Sequence, residues 1–245
     1  MLKVNNLTKH FGGVKAVQNC SFVIQPNTIT ALIGPNGAGK TTVFNLISGL
    51  FSPDHGSVVV AGKAVNGEEA WVRARGLSRT FQAVRLFKNL TVEENLLLAF
   101  EERDYNFWHS VLFPGEKDVH QNKIKEILAL VGLDKPFDTL AADLSYGQTK
   151  LLEIARALLK PHQILLLDEP VAGVNPVLRE RLKEVLKTLR ERGETILLVE
   201  HDMDFVMSLA DRVIVMDAGK VLVEGPPAEI KKNKEVLEAY LGEQI

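Results

Sequence analysis

The sequence predicts an α/β fold: a parallel sheet covered by helices on both faces, with a helical segment inserted between two parts of the core. Three observations carry this. Apolar runs at Thr28–Ile33, Val58–Ala61, Ile164–Leu167, Thr195–Val199 and Arg212–Met216 have the length and character of buried strands. Helical patterns alternate with some of them, as a parallel sheet requires. The stretch from about 90 to 160 has helical patterning and no comparable strand. The chain of 245 residues is long enough to enclose a substantial core, and its 46% apolar and 24% charged content excludes a disordered or collagen-like chain.

Taken in order, the run Thr28–Ile33 is followed by the glycine-rich segment Gly34–Gly39 and then by a helical pattern containing Val43, Leu46 and Ile47. Helices are expected over Thr91–Glu102, Asp118–Val131 and Gly147–Leu159. The stretch Arg103–Lys117 interrupts them with Tyr105, Phe107, Trp108 and Phe113 beside Pro114-Gly115. It reads as a loop packing its rings on its own lobe or as an aromatic contact surface for a partner. In 176–192, Leu178, Leu182, Val185 and Leu189 fall at i, i+4, i+7 and i+11, one apolar stripe among Arg, Lys and Glu. Val213–Met216, Asp217-Ala218-Gly219 and Lys220–Val223 read as a hairpin. Pro226 to Leu241 reads as one final helix with apolar pairs Val236/Tyr240 and Leu237/Leu241.

Lys plus Arg total 29 and Asp plus Glu total 31, a net charge of −2, which argues against a broad basic surface for nucleic acid. The single cysteine, Cys20, excludes an internal disulfide framework and a Cys-rich zinc site, and is expected to be a buried thiol in a reducing compartment. Met1–Asn6 lacks the apolar core of a secretion signal, and no run approaches the roughly 20 apolar residues of a membrane span. Any role at a membrane would be exercised from the aqueous side, through a partner.

Gly34-Pro35-Asn36-Gly37-Ala38-Gly39-Lys40-Thr41-Thr42 matches G-x-x-x-x-G-K-T in the strand-to-helix context that motif needs. Glycines let backbone N–H groups wrap an anion without Cβ clashes, and the following helix aims its positive end at it. Lys40 can reach the β and γ phosphates of a nucleotide, and the Thr41 hydroxyl can ligate Mg²⁺. Asp168-Glu169 close the apolar strand Ile164–Leu167, at the sheet edge where ligands of open α/β folds collect. Asp168 is placed to hold Mg²⁺ through water and Glu169 to orient or deprotonate an attacking water; the alternative is an acidic pair capping the next segment. No N-K-x-D guanine-reading sequence follows, and the acidic pair favours ATP hydrolysis over transfer to a small acceptor. Ahead of Asp168, Leu144-Ser145-Tyr146-Gly147-Gln148 opens an amphipathic helix. Ser145 is a good N-cap; a Ser and a Gly at a helix N-terminus also make a second anion cradle, which one nucleotide does not need but a dimer would.

With these motifs in hand, the chain resembles the ATP-binding cassette of ABC transporters. The motifs stand in family order: the phosphate loop 34–41, Gln82 in Arg79-Thr80-Phe81-Gln82, Ser145-Tyr146-Gly147-Gln148, Asp168-Glu169, and His201 in Glu200-His201-Asp202. The resemblance covers essentially the whole chain. It implies a P-loop NTPase (RecA-like) parallel-sheet core with an antiparallel β subdomain and an inserted helical subdomain. The core would hold 1–87 and 160–245, and the helical part 88–159. By the same resemblance Gln82 reaches Mg²⁺ and the attacking water, His201 contacts the γ-phosphate, Phe11 stacks on adenine, and Ala16 lies beside the base or ribose. Ser145, Gly147 and Gln148 would cap the ATP of a second cassette.

The implied partners are membrane permease subunits, a second cassette and a periplasmic or extracellular substrate-binding protein, with no nucleic acid; the implied place is the cytoplasmic face of the cell membrane, peripherally bound. Within the family, Leu144–Gln148, the insert 103–117, Val199–Met203 and Ala239–Glu243 resemble the cassettes of branched-chain amino acid importers. Lipopolysaccharide-export cassettes share several of these features, and the length of the insert favours the importer. A soluble non-transport ABC ATPase is a further alternative, weakened by the absence of a long coiled-coil insertion or a second cassette. Two residues depart from the family pattern. Tyr146 replaces a glycine, and Asn175 stands where many cassettes have Asp, keeping hydrogen-bonding capacity without the charge.

Overall fold

The computed structural model describes residues 1–65, 76–80, 86–100 and 115–241. Gln82 and the aromatic segment 103–114 therefore lie outside the described residues. The elements, in chain order, are β1 (Leu2–Phe11), β2 (Val14–Ile24), β3 (Ile29–Ile33), α1 (Lys40–Ser48), β4 (His55–Val60), β5 (Lys63–Ala64), β6 (Leu77–Arg79), α2 (Val92–Leu97), α3 (Gly115–Val131), α4 (Tyr146–Leu159), β7 (Ile164–Asp168), α5 (Pro176–Glu191), β8 (Ile196–Val199), α6 (Met203–Leu209), β9 (Arg212–Asp217), β10 (Lys220–Gly225), α7 (Pro227–Ile230) and α8 (Lys234–Leu241). They divide into two units. The first comprises Met1–Arg79, His162–Pro170 and Leu186–Ile245; the second comprises Thr80–Pro161 and Val171–Val185.

The first unit holds two sheets. One is six-stranded, in the order β10-β9-β3-β8-β7-β6. Its strands from β9 to β6 run parallel, and β10 closes one edge as the antiparallel arm of the expected hairpin. β3, β7 and β8 are buried throughout, which is why they read as unbroken apolar runs rather than as alternating ones. The other sheet is antiparallel, four strands in the order β2-β1-β4-β5. Of Val58–Ala61, read as a strand of the same kind as its neighbours, Val58–Val60 belong to this second sheet, in β4, and Ala61 lies in the turn after it. Leu2, Val4, Leu7, Val17, Phe22 and Ile24 from it share one core with Phe44 and Ile47 of α1 and with Leu32, Leu166, Leu197 and Ile214 of the parallel sheet.

The second unit is helical. α2, α3 and α4 pack on one another, burying Val92, Leu96, Ile124, Leu128, Val131, Leu151, Leu152 and Ala155. Both α2 and α4 begin with a reciprocal cap. The Thr91 side chain accepts the N–H of Glu94, and the Glu94 carboxylate accepts the N–H of Thr91.

Some element boundaries differ from the sequence expectation. The helix expected over Thr91–Glu102 stops at Leu97, because Ala99 and Phe100 donate to Leu96 and Leu97 and tighten the chain into a turn. α3 covers Gly115–Lys117, the described part of the stretch expected to break the helical pattern. The single C-terminal helix is two: α7 ends at Ile230 with Lys231 as its C-cap, and Asn233 caps α8. Its Oδ1 accepts the N–H groups of Glu235 at 2.9 Å and Val236 at 3.3 Å. Val236 is buried, whereas Leu237 is half exposed.

Cys20 lies opposite Leu7 in the β1–β2 pair and inside the shared core. Burial pushes its thiol up to about 12, because the thiolate would lose its hydration. At pH 8 the native chain should therefore leave a thiol-specific chromogenic reagent unreacted, and denaturant should release its one equivalent. Rapid labelling of the native chain would contradict this burial.

Candidate functional site

The parallel register decides which loops share an edge. Leu32 of β3 and Asp168 of β7 both stand opposite Val199 at the end of β8. The segment Gly34–Gly39, the Asp168-Glu169 pair and Glu200-His201 thus leave the sheet side by side, at the carboxyl ends of its strands.

The glycine-rich loop is held so closely that two of its residues admit no side chain. At Gly34 (φ 150°) a Cβ would run into the carbonyl oxygen of Met216, and at Gly39 (φ 96°) into that of Ala16. The loop is further tied by the Ala38 N–H to Pro35 O and the Gly219 N–H to Ala38 O, both 3.1 Å. Gly39 is the N-cap of α1 and makes no side-chain cap hydrogen bond to the first turn. Lys40 folds back over its own loop, its Nζ donating to Gly34 O at 2.6 Å and Pro35 O at 2.8 Å. Asn36, Gly37 and Thr41 are exposed, while Pro35 and Ala38 are buried and Thr42 is half-buried. Ala16 is brought directly against this loop. Phe11, at the end of β1, is 43% exposed and meets Phe51 edge to face at 5.3 Å, with Lys9 Nζ 5.6 Å from its ring centre. A flat, solvent-facing ring braced from one side is suited to stacking.

Asp168 is buried. Its Oδ2 accepts a hydrogen bond from Arg79 Nη2 at 2.8 Å. Arg79, at the end of β6, also donates through Nη1 to Asn45 Oδ1 at 2.8 Å and to Ser48 Oγ at 2.7 Å, both on α1. Glu169 sits in the left-handed region (φ 49°), a conformation costing roughly 1–2 kcal/mol for such a residue. Its N–H donates to Val199 O at 3.0 Å, which pins the turn. Its carboxylate Oε1 comes within 3.8 Å of His201 Nδ1, with the histidine mostly exposed and Glu169 largely covered. Asp202 follows as the N-cap of α6, accepting the Phe205 N–H at 2.9 Å.

The second unit holds its own polar cluster. Ser145 Oγ accepts the Gln148 N–H at 3.3 Å, and Gln148 Oε1 accepts the Ser145 N–H at 3.0 Å. Ser145 thus caps α4, and the Gln148 carboxamide is engaged in the same reciprocal cap. Tyr146 donates its hydroxyl to Ala172 O at 3.2 Å. Asn175 Oδ1 accepts the Leu178 N–H at 2.9 Å, ahead of the first turn of α5. A cavity of about 560 Å³ is lined by Ser145, Gly147, Asn175, Leu178 and Arg181, among others.

Most sequence-predicted residues are thus described: Gly34–Thr42, Ala16, Asp168, Glu169 and His201 gather on or beside one edge of the first unit, with Phe11 on the same unit. Ser145, Gly147 and Gln148 gather in the second. Sequence reading missed Arg79 with its partners Asn45 and Ser48. The available signal was a cation closing the short strand Leu77-Ser78-Arg79, since a buried guanidinium demands acidic or polar partners.

Comparison with known proteins bears on the family and the fold. Residues 17–172 match the family model described as ABC transporter, and residues 220–245 match that described as branched-chain amino acid ATP-binding cassette transporter. The chain is 41% identical to the high-affinity branched-chain amino acid transport ATP-binding protein LivG of Escherichia coli (strain K12), over 99% of this chain and 98% of that one. The crystal structure of the ADP conformation of an ATP-binding cassette of an ABC transporter superposes with a TM-score of 0.86 at 33% identity, covering 99% of this chain and 98% of that one. A dimeric post-hydrolysis cassette bound to ADP and Pi matches with a TM-score of 0.79 at 28% identity, covering 93% of this chain and 99% of that one.

The loop geometry sets a stability test. Gly39→Val should lower the melting temperature by several degrees or prevent soluble expression, since it must displace the Ala16 carbonyl from a residue already at positive φ. Unchanged melting would contradict the observed closeness of β2 to the loop.

Proposed function

Because this chain belongs to the ABC transporter family, as one of its ATP-binding cassettes, we propose that it is the ATP-hydrolysing subunit of a branched-chain amino acid importer, with the catalytic edge described above as its hydrolytic centre. The observation that carries the reading is the convergence of Glu169 and His201 at 3.8 Å, on the edge from which the glycine-rich loop also emerges.

In this reading Lys40 leaves the Gly34 and Pro35 carbonyls and donates instead to the β and γ phosphates of ATP, while the loop N–H groups take the remaining phosphate oxygens. Phe11 stacks on the adenine and Ala16 flanks the base or ribose. Glu169, held in its turn by the Val199 carbonyl, accepts a proton from the attacking water as the new P–O bond to the γ phosphorus forms and its bond to the β–γ bridging oxygen breaks, ADP leaving with that electron pair. His201 donates to a γ-phosphate oxygen and steadies the charge that develops there. Gln82 completes the contact with the water from the segment following Arg79.

Thr41 and Asp168 fit a Mg²⁺ ion: an exposed hydroxyl at the start of α1 and a carboxylate at the end of β7 are hard oxygen donors, and such a site needs only one or two protein ligands when phosphates supply others. Bound there with Gln82, the ion would neutralise charge between the β and γ phosphates.

Ser145, Gly147 and Gln148 serve a different nucleotide, the one held by a second cassette. Their unit offers a helix N-terminus and a cavity, and the dimeric relative bound to ADP and Pi supports an assembly of this kind. Loss of the γ-phosphate removes contacts on both sides and lets the pair open, and only such a difference in affinity between closed and open states can move a partner. That partner is a membrane permease, served by an external substrate-binding protein, with the cassette at the cytoplasmic face. Among the described residues no helix is long and apolar enough to cross a membrane. The C-terminal family match and the LivG relative support amino-acid import over the export reading.

Glu169→Gln tests the assignment. It should cut phosphate release by about 10²-fold or more while ATP affinity stays at the wild-type value. Near-normal turnover would remove Glu169 from the role of base.

A further inference from the structure

Arg79 joins two elements that the proposed Mg²⁺ site also joins. Its guanidinium is fixed at three points: Asn45 Oδ1 at 2.8 Å and Ser48 Oγ at 2.7 Å on α1, and Asp168 Oδ2 at 2.8 Å at the end of β7. The Phe44 ring lies 5.3 Å from its Cζ. The pair is deeply buried, with 8% of the Arg79 side chain and 6% of the Asp168 side chain exposed. On α1, Thr41, Asn45 and Ser48 stand at i, i+4 and i+7, and so share one helix face.

We propose that Arg79 is a positioning residue that sets the spacing between Thr41 and Asp168, the two described residues assigned to Mg²⁺. The inference rests on that metal assignment and goes beyond it. A planar guanidinium with its donors in a rigid fork can serve two partners on one helix and a carboxylate on a strand without slack. It therefore fixes the α1 face that carries Thr41 against the strand end that carries Asp168. It also holds the Asp168 carboxylate in one orientation through the bond to Oδ2, as a ligand of fixed geometry requires. Mg²⁺ tolerates little departure from octahedral geometry, so the separation of its protein donors matters more than it would for a larger ion. Residues that hold metal ligands in this indirect way change metal affinity by about 10–100-fold when removed.

Mn²⁺ titration of the full chain saturated with ADP, followed by electron paramagnetic resonance, tests the inference. Arg79→Gln should raise the Kd for Mn²⁺ by about tenfold or more, with the affinity for ADP in EDTA unchanged. Ser48→Ala, which keeps both charges but removes one anchor of the guanidinium, should raise it in the same direction by less, and it carries the test alone if Arg79→Gln does not fold. An unchanged Kd for Mn²⁺ in a folded Arg79→Gln, or in Ser48→Ala when that variant stands alone, would overturn the proposal. So would an equal loss of ADP affinity in EDTA, which marks a general structural role. Asp168→Asn separates the two levels. If it too leaves Mn²⁺ binding unchanged, the metal assignment itself fails; if it abolishes binding while Arg79→Gln does not weaken it, only the role of Arg79 fails.

Discussion

The hydrogen-bonded register of β3, β8 and β7 is the constraint on which the proposed catalytic edge depends. Because Leu32 and Asp168 both face Val199, the glycine-rich loop, the acidic pair and the segment carrying His201 emerge at one level. A slip of one residue would turn each strand's side chains over and carry Asp168 away from Arg79. Complete burial of all three strands makes such a slip costly, so the core that stabilises the sheet also specifies the position of the chemistry. The glycine-rich loop adds a second fixed point, since the Met216 and Ala16 carbonyls leave no room for a Cβ at Gly34 or Gly39.

The charged groups of this edge have partners within the protein. Lys40 is held by two loop carbonyls, Asp168 by Arg79, and Glu169 lies beside His201. Ligand binding is then an exchange of partners rather than the filling of a void, and its net strength is the difference between two sets of hydrogen bonds. The second unit follows the same economy: Ser145 and Gln148 cap one another at the helix end that the proposed dimer presents to a partner's nucleotide.

Much of this was legible in the residues. The strands of the parallel sheet announced themselves as apolar runs, and the loop, the acidic pair and Ser145 followed from local chemistry. β1 and β2 did not, for a physical reason. Both carry an asparagine in the left-handed region, Asn6 and Asn19, and the β1–β2 register shifts between Val4 and Leu7. Such irregularities break the two-residue alternation by which a half-buried strand is recognised; only the family resemblance implied an antiparallel sheet. The division of the C-terminal helix was equally hidden, because Asn233 acts as a cap only in a geometry that spacing does not reveal. Arg79 escaped notice because its meaning lies in partners distant in sequence, Asn45, Ser48 and Asp168, which tertiary structure alone assembles.

The most direct test of the central claim is a crystal structure of the Glu169→Gln chain with Mg²⁺ and ATP. The account expects the γ-phosphate between Lys40 Nζ and the side chains at 169 and 201, with Lys40 released from the Gly34 and Pro35 carbonyls. A nucleotide bound away from this edge, or one bound here with Lys40 still held by both carbonyls, would contradict it.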